Sequence, residues 1–388
     1  MNILDHVIYK IFLIFFQILN LFFKYYFSPK LIEMQPSSLL LYRIFKFVHI
    51  PHRSYRLGRR ILESGYYVSP SWFDQRISRQ SELDSKIPRL IGVEGTIKYK
   101  NELFDEEKQR QQSLITRFEK IEVNLEKPFP DGEDYVLMMN ANISTPYECA
   151  NHIHQILKQR SALALVNGNE YWDMHRPLEQ SCNLTLLHFK HDDCMPVNYA
   201  FWRSCSMLLA SVIPKAFRDE YKVHIISKPF ADLTGGSFIC DVEVENLTDW
   251  KPTSQEIQSI TSLLWDETVK AHRYERIQVS AEVASKLFAD NFHRLSELEK
   301  LTEQDANRQF TIYRCGQYIE LSDGPMIADT SQIGFIYLSA IHPLKKKDGT
   351  RFYRFQGIAM PKQLNINPFA FSLIRDRSKR LNSYGLDH

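Results

Sequence analysis

Cysteine is scarce in this chain of 388 residues, and no two cysteines form a CxxC pair. A chain of this length can hold two or three domains and bury its own core, so it needs no disulfide bridges to stay folded. The six cysteines stand at Cys149, Cys182, Cys194, Cys205, Cys240 and Cys315. This usage is typical of a protein from a reducing compartment.

The sequence also lacks a phosphate-binding loop of the form GxxxxGKS or GxxxxGKT, which excludes a P-loop GTPase or ATPase. Long apolar runs are missing as well. The apolar segment at residues 7–27 is interrupted by Lys10, Gln17, Asn20 and Lys24. Its longest unbroken stretch is far below the ~20 residues of a spanning helix. We therefore expect no stable membrane anchor; a signal sequence or anchor is the alternative for this segment.

Acidic residues are absent from residues 34–62, which contain six Lys or Arg. A positive, acid-free segment after Met34 is typical of a mitochondrial transit peptide. We therefore predict that residues 1–100 form a leader and linker, with the real start at Met34. A basic RNA-binding arm is the alternative for residues 34–62.

Charge is unevenly distributed in a chain whose 44% hydrophobic content is that of a folded protein and whose net charge is only +2. Residues 341–388 carry ten basic and three acidic residues. Such a basic end indicates contact with a polyanion such as nucleic acid, although a solvated hairpin tip and tail have the same composition. The candidate RNA contacts are Lys345, Lys346, Lys347, Arg351, Arg354, Arg375, Arg377, Lys379 and Arg380.

Residues 101–117 are predicted to form a polar surface helix, with Asn101 as its cap and acidic residues in the early turns.

Residues 118–190 follow as a small α+β domain. Lys120 to Leu125 alternate like a half-buried strand, and Thr145 and Pro146 mark the start of a helix that runs on through Leu157. Residues 162–166 and 184–189 add apolar strands. One helix on a sheet is the expected arrangement.

Three potential metal ligands, His188, His191 and Cys194, recur at intervals of three. They span a strand end and a loop, whereas structural zinc normally takes four ligands. We therefore predict no metal site and no cofactor.

Residues 196–365 are predicted to form a larger α+β domain. Trp202 to Phe217 carry apolar residues at helical spacing, and mixed strands and helices follow. Residues 366–388 are predicted to be a basic C-terminal tail.

Ordered motifs in both domains are similar to the N-terminal half of threonyl-tRNA synthetases. In the small domain, which resembles the β-grasp TGS module, these are Thr145-Pro146, Leu165-Val166-Asn167-Gly168, Trp172-Asp173 and Pro177-Leu178. In the large domain, which resembles the domain that hydrolyses mischarged tRNA, they are Phe201 to Leu209, Gly235 to Asp241, Arg276 to Phe288, Tyr313 to Glu320 and Arg354 to Pro361. The resemblance implies an α+β fold with a TGS-like β-grasp domain before an editing-like domain.

Four positions depart from that family. The resemblance implies two His on one helix and a Cys and a His on a distant loop; here they are Arg203, Met207, Ser322 and Met326. Arg203 cannot lose its proton at usable pH, and the two thioethers are no bases. Ser322 has no nearby base to activate it. We predict no catalytic residue and no enzymatic activity. An ATP-binding catalytic domain would not fit in the 27 residues after Pro361.

Further motifs resemble a family of mitochondrial large-subunit ribosomal proteins that are relatives of threonyl-tRNA synthetase. They are Asn101 to Asp105, Asn142 to Tyr147 and Phe217 to Tyr221. This resemblance implies a non-catalytic structural role in the mitochondrial matrix, with ribosomal proteins and rRNA as partners and no small-molecule substrate. A soluble TGS-containing tRNA-binding adaptor and a free-standing tRNA-editing hydrolase are the alternatives.

Overall fold

A computed structural model describes residues 92–386 except 130–131, 219, 228, 230–232, 234, 248–249 and 348. These residues belong to one compact unit at residues 61–388. The predicted leader up to residue 91, including Met34 and the apolar segment at residues 7–27, lies outside the described residues. No helix within the described residues is long and apolar enough to cross a membrane.

The first described helix, α1 (Gly92–Ser113), begins nine residues earlier than predicted. Asn101 therefore lies inside the helix and is not its cap. Its Nδ2 donates to the carbonyl of Ile97 at 2.9 Å and to that of Gln317 at 2.9 Å. Phe104 is fully buried, with the Arg314 guanidinium 4.4 Å from its ring centre. The helix is thus fastened to the larger domain by one aromatic side chain and a few polar contacts.

The small domain is a mixed sheet with two short helices. Its strands are β1 (Lys120–Leu125), β2 (Tyr135–Asn140), β3 (Leu163–Val166), β4 (Glu170–Asp173) and β5 (Cys182–Leu187), in the order β2-β1-β5-β3-β4. The neighbours β1 and β5 run parallel, and the other pairs are antiparallel. The helices are α2 (Pro146–Ile153) and α3 (Gln155–Arg160).

The start of α2 follows the sequence closely. Thr145 accepts the backbone N–H of Glu148, and the Glu148 carboxylate accepts the N–H of Thr145, which is a capping box. The predicted single helix through Leu157 is divided at His154, because its Nδ1 accepts the N–H of Ile156 and starts α3. Cys149, Ala150 and Leu157 are fully buried in the core of this domain.

The larger domain contains two antiparallel sheets and several helices. In chain order its elements are α4 (Met195–Ala216), β6 (Val223–Ile225), β7 (Phe238–Val244), α5 (Ser254–Val269), β8 (Tyr274–Val279), α6 (Ala281–Leu287), α7 (Phe292–Gln304), β9 (Phe310–Cys315), β10 (Tyr318–Leu321), β11 (Ile333–Lys345), β12 (Arg351–Pro361) and α8 (Pro368–Arg377). The strand orders are β10-β9-β8 and β11-β12-β7-β6. Helix α4 begins seven residues before the predicted Trp202 and supplies much of the core.

The predicted basic tail is partly helical and returns to the sheet. After α8, the chain lies along β12, where Gln356 Nε2 donates to the carbonyls of Ser378 at 2.5 Å and Arg380 at 2.7 Å. The amide N–H of Asn382 donates to Gln356 Oε1 at 3.0 Å. Residues 378–382 are therefore part of the folded domain, because a buried glutamine side chain needs their backbone groups as partners.

Candidate functional site

The four positions that depart from the synthetase pattern lie on two elements, helix α4 and the loop after β10. We call Arg203, Met207, Ser322 and Met326 the four-position site. Arg203 Nη1 donates to the carbonyl of Pro325 at 2.8 Å, so the helix and the loop are joined directly. Met207 and Met326 are fully buried in the same apolar core. Both methionines therefore act as core side chains.

The loop contains a cis peptide bond between Gly324 and Pro325. Gly324 has a φ of 59°, a region that L side chains rarely adopt, and a Cβ at this position would collide with the hydroxyl of Tyr313. Ser322 is buried, and its Oγ accepts the N–H of Gly324 at 3.3 Å. The hydroxyl thus supports the turn, and no described histidine hydrogen-bonds to it.

A carboxylate from the small domain fastens this loop. Asp173, at the end of β4, accepts the Tyr313 hydroxyl at 2.9 and 3.0 Å and the Met326 N–H at 2.8 Å. The Arg276 Nε lies 3.9 Å from the same carboxylate. Burial raises the pKa of Asp173, while the Met326 N–H, Arg276 and the Tyr313 hydroxyl oppose that rise. Asp173 is therefore a structural link between the two domains.

The neighbouring groups are also unsuited to proton transfer. Burial lowers the pKa of Arg203, and the nearby Tyr313, Asp323 and Asp173 act in the opposite direction. Burial, with the negative charge of Asp173, raises the pKa of Tyr313 well above its usual value. An arginine remains protonated in proteins, and a tyrosine with a raised pKa stays neutral. Neither Arg203 nor Tyr313 can therefore act as a base near neutral pH, and the Asp173 carboxylate is already engaged by Tyr313 and Met326.

Ser204 completes the packing beneath the loop. Its hydroxyl donates to the Ala200 carbonyl at 2.8 Å and accepts the Ile327 N–H at 3.0 Å, and it lies 3.5 Å from Met326 Sδ. The Ser204 carbonyl accepts the Tyr274 hydroxyl at 2.9 Å. The polar groups of Ser204, Ile327 and Tyr274 that meet beneath the loop are therefore all hydrogen-bonded within the protein, as buried polar groups generally are.

His188, His191 and Cys194, which were considered as metal ligands, do not form a metal-binding cluster. The rings of His188 and His191 are 5.9 Å apart, and Cys194 Sγ contacts Asn198 Nδ2 at 3.5 Å. In the part of the chain that the structure describes, no group of three or more His, Cys, Asp or Glu side chains could hold a metal ion.

The predicted RNA contacts divide by exposure. At the hairpin between β11 and β12, Lys345, Lys347 and Arg351 are exposed, and Lys346 is half-buried, 4.0 Å from Glu243. In the C-terminal segment Arg377, Lys379 and Arg380 are exposed, whereas Arg375 is half-buried over the ring of Tyr337.

Arg354 is wrong as a predicted RNA contact. The residue is only 1% exposed, and its side chain binds Asp241 through Nε at 2.8 Å and Nη2 at 2.7 Å. Its Nη1 donates to the carbonyls of Asn382 and Tyr384 at 2.5 and 2.8 Å. The residue faces the sheet interior because it lies on a strand whose neighbours are buried, so phosphate cannot reach it.

Sequence reasoning noted Asp173 and Tyr313 only as parts of motifs and did not link them. They are 140 residues apart along the chain. The available signal was an acidic residue between the apolar Trp172 and Met174, since a carboxylate in apolar surroundings requires a partner.

Comparison with known proteins agrees with this architecture. The TGS domain model matches residues 129–188. The "Large ribosomal subunit protein mL39" of Drosophila melanogaster is 37% identical over 291 residues, which cover 74% of this chain and 86% of that protein. This chain belongs to the mL39 family. Both the predicted family and the predicted α+β fold class are confirmed.

The mL39 family is itself related to ligases. The "Threonine--tRNA ligase 2, cytoplasmic" of Bos taurus is 33% identical over 193 residues, or 50% of this chain and 24% of the ligase. The "Probable threonine--tRNA ligase 1, cytoplasmic" of Dictyostelium discoideum is 25% identical over 245 residues, which cover 62% of this chain and 32% of the ligase. The chain thus spans about a quarter to a third of the length of these ligases.

Proposed function

We propose that this chain is a non-catalytic structural component of the large subunit of the mitochondrial ribosome. One observation carries the proposal: the 37% identity to a large ribosomal subunit protein extends over 86% of that protein's length. Similarity over almost the whole relative favours a shared role more than similarity to a short part of a ligase does. The matrix of the mitochondrion is the corresponding location.

The contacts at the four-position site support the same role. Met207 and Met326 are fully buried, and Arg203 is engaged by a backbone carbonyl. General acid–base hydrolysis needs a group that exchanges a proton near neutral pH and can reach water. An arginine, two thioethers and a buried serine hydroxyl do not meet that need, so we propose that the site serves as packing.

The expected partners are other proteins of the large subunit and, at the hairpin, ribosomal RNA. Lys345 and Lys347 lie at the end of the β11–β12 hairpin and are exposed. Flexible cations of this kind bind phosphate without reading bases, and their affinity decreases with salt. The hairpin would therefore contribute to anchoring on RNA rather than to sequence recognition.

Sedimentation tests the assignment directly. Mitochondrial lysate is separated on a density gradient at low magnesium, so that the subunits are apart, and the chain is followed by antibody or tag. We expect it to migrate with the large subunit. A pool found only at the top of the gradient would contradict the proposal and favour a tRNA-binding adaptor.

A second assay tests the absence of hydrolysis. Purified chain is incubated with threonine-specific tRNA that carries serine, and a threonyl-tRNA synthetase with an intact editing site serves as the positive control. We expect release of serine at the spontaneous rate. Release above that rate, abolished by Arg203→Ala, would show that the four-position site is catalytic.

A further inference from the structure

Strand β2 is an edge of the small sheet and differs from the opposite edge. β4 has four residues, begins with Glu170, and has the Arg176 guanidinium stacked 3.2 Å from the ring centre of Trp172. β2 has six residues, Tyr-Val-Leu-Met-Met-Asn, with no charge and no proline. Natural sheets protect exposed edges with charges, prolines, bulges or short strands. β2 has none of these, so its edge is suited to pairing.

The register shows which backbone groups of β2 face outward. Ala141 N–H donates to the Glu119 carbonyl at 2.9 Å, so these opposed residues form a hydrogen-bonded pair. Hydrogen-bonded and non-hydrogen-bonded pairs alternate along an antiparallel ladder. Val136 and Met138, which oppose Asn124 and Glu122, are therefore in non-hydrogen-bonded pairs. Their N–H and C=O groups point away from β1, and no described residue pairs with them.

The side chains at the same two positions are also open. Val136 is 62% exposed and Met138 is 61% exposed, and both lie on the face of the sheet opposite the core. Glu122 stands directly across from Met138, and Glu133 precedes the strand; both carboxylates are exposed and form no ion pair with a described residue. Lys120, at the far end, donates to Asn140 Oδ1 at 2.8 Å.

We propose that an extended segment of a neighbouring ribosomal protein adds a strand to the outer edge of β2. This inference rests on the proposed function. The segment would exchange backbone hydrogen bonds with Val136 and Met138, place apolar side chains beside theirs, and bring Lys or Arg to Glu122 and Glu133. Strand addition of this type uses main-chain hydrogen bonds for affinity and alternate side chains for specificity.

Charge and geometry favour this occupant over two others. RNA would bring phosphates to an apolar strand flanked by Glu122 and Glu133, where like charges repel. A second copy pairing β2 with β2 would bring both sets of carboxylates together at one edge. A basic protein strand is the occupant that satisfies the backbone groups and the carboxylates at once.

The decisive variant is Met138→Pro. Of the backbone donors, proline removes only the outward N–H of Met138, and edge strands tolerate proline where the N–H faces away from the neighbouring strand. The methionine side chain is lost as well, which Met138→Thr controls for. The full chain carrying it should keep its melting temperature to within a few degrees. Its incorporation into the large subunit, measured on gradients against co-expressed wild type, should decrease about tenfold, the scale of a buried hydrogen bond left unmade.

Matched variants distinguish the outcomes. Met138→Thr keeps the N–H and should incorporate better than Met138→Pro, whereas Leu137→Pro removes an N–H directed at β1 and should unfold the small domain. Normal incorporation of Met138→Pro would overturn the proposal while leaving the ribosomal role intact. Failure of the wild type to enter the particle would instead refute the proposed function.

Hydrogen exchange supplies an independent readout. In the free wild-type chain, the amides of Val136 and Met138 should exchange quickly and those of Leu137 and Met139 slowly. In the intact large subunit all four should be slow. Three results would each refute a protein strand from a ribosomal neighbour. They are fast exchange of the outward amides in the particle, a photo-crosslink from position 136 to RNA, and a wild-type dimer in solution that Met138→Pro dissociates.

Discussion

The loop at residues 322–326 and the outer edge of β2 contain similar chemical groups in opposite situations. Around the loop, the Met326 N–H and the Tyr313 hydroxyl both find Asp173 within 3.0 Å. Along β2, the outward amides of Val136 and Met138 have no partner among the described residues, and their side chains are more than half exposed. The polar groups at the loop are therefore paired within the chain, whereas the outward amides of β2 have no partner among the described residues.

The difference indicates where binding capacity remains in this chain. Buried polar groups are stable when every donor and acceptor is matched, and such a network has no capacity left for a substrate. An open strand edge can exchange backbone hydrogen bonds without any catalytic group. The paired groups of the interior stabilise the fold, and we infer that the open strand edge is where association takes place.

Replacing Arg354 should produce the largest loss of stability. Arg354→Met leaves the carboxylate of Asp241 and two carbonyls of the C-terminal segment without their donor. Removing one member of a buried ion pair costs roughly 3 to 5 kcal/mol. Urea unfolding measures the loss, and Lys345→Met is the control, expected to change stability by under about 0.5 kcal/mol. Equal effects of the two variants would contradict the structural role of Arg354.

Replacing Asp173 should have a somewhat smaller effect and should loosen the joint between the domains. Asp173→Ala removes the acceptor for Tyr313 and Met326, at about 2 to 4 kcal/mol, because both buried donors lose their partner. Asp173→Asn retains a carbonyl oxygen and should cost less. Limited proteolysis near residue 326 provides the structural readout. A resistant, fully stable Asp173→Ala variant would show that the joint does not depend on this carboxylate.

Acid should weaken the larger domain through Glu267. Lys215 and Lys270 each donate to this carboxylate at 2.8 Å. Burial alone would raise the pKa of Glu267, but the hydrogen bonds and charges of Lys215 and Lys270 lower it to about 2. Because the folded-state pKa is lowered, the stabilisation is present above the unfolded value near 4.5 and is lost as pH falls towards 2.

The change between pH 5 and 2 should be about 2 to 3 kcal/mol from this group. Denaturant unfolding at several pH values measures it, and Glu267→Gln should make the dependence shallower in that range. If the free energy of unfolding depended on pH in the same way in wild type and variant, Glu267 would not be the source of the acid sensitivity.

The smallest effect on folding is expected at the hairpin. Lys345→Glu with Lys347→Glu alters exposed cations, so the free energy of unfolding should change by under about 0.5 kcal/mol. Association with the large subunit should weaken, and the slope of its salt dependence should decrease by about 1 for each phosphate that is no longer bound. An unchanged slope would argue against RNA at this hairpin and would leave the β2 edge as the main interface under test.

Local signals predicted local structure well. Thr145 and Glu148 lie three residues apart and form a capping box, and Pro146 occupies the first turn between them, as their order indicates. Asn101 has an equally good capping side chain, yet it lies inside α1 because the helix extends back to Gly92 and its amide bonds to Gln317 instead. A cap can be read from sequence only when no distant group competes for the same side chain.

The amino-acid sequence by itself determined the family, the α+β class and the chemistry that Arg203, Met207, Ser322 and Met326 lack, because these depend on residue type and order. Only the tertiary structure decided which charged residues are exposed and which are buried. Arg351 and Arg354 are three residues apart in one basic segment, yet the first is exposed and the second is sealed by Asp241. Burial depends on which strands become neighbours, and that is a property of the assembled sheet rather than of the segment.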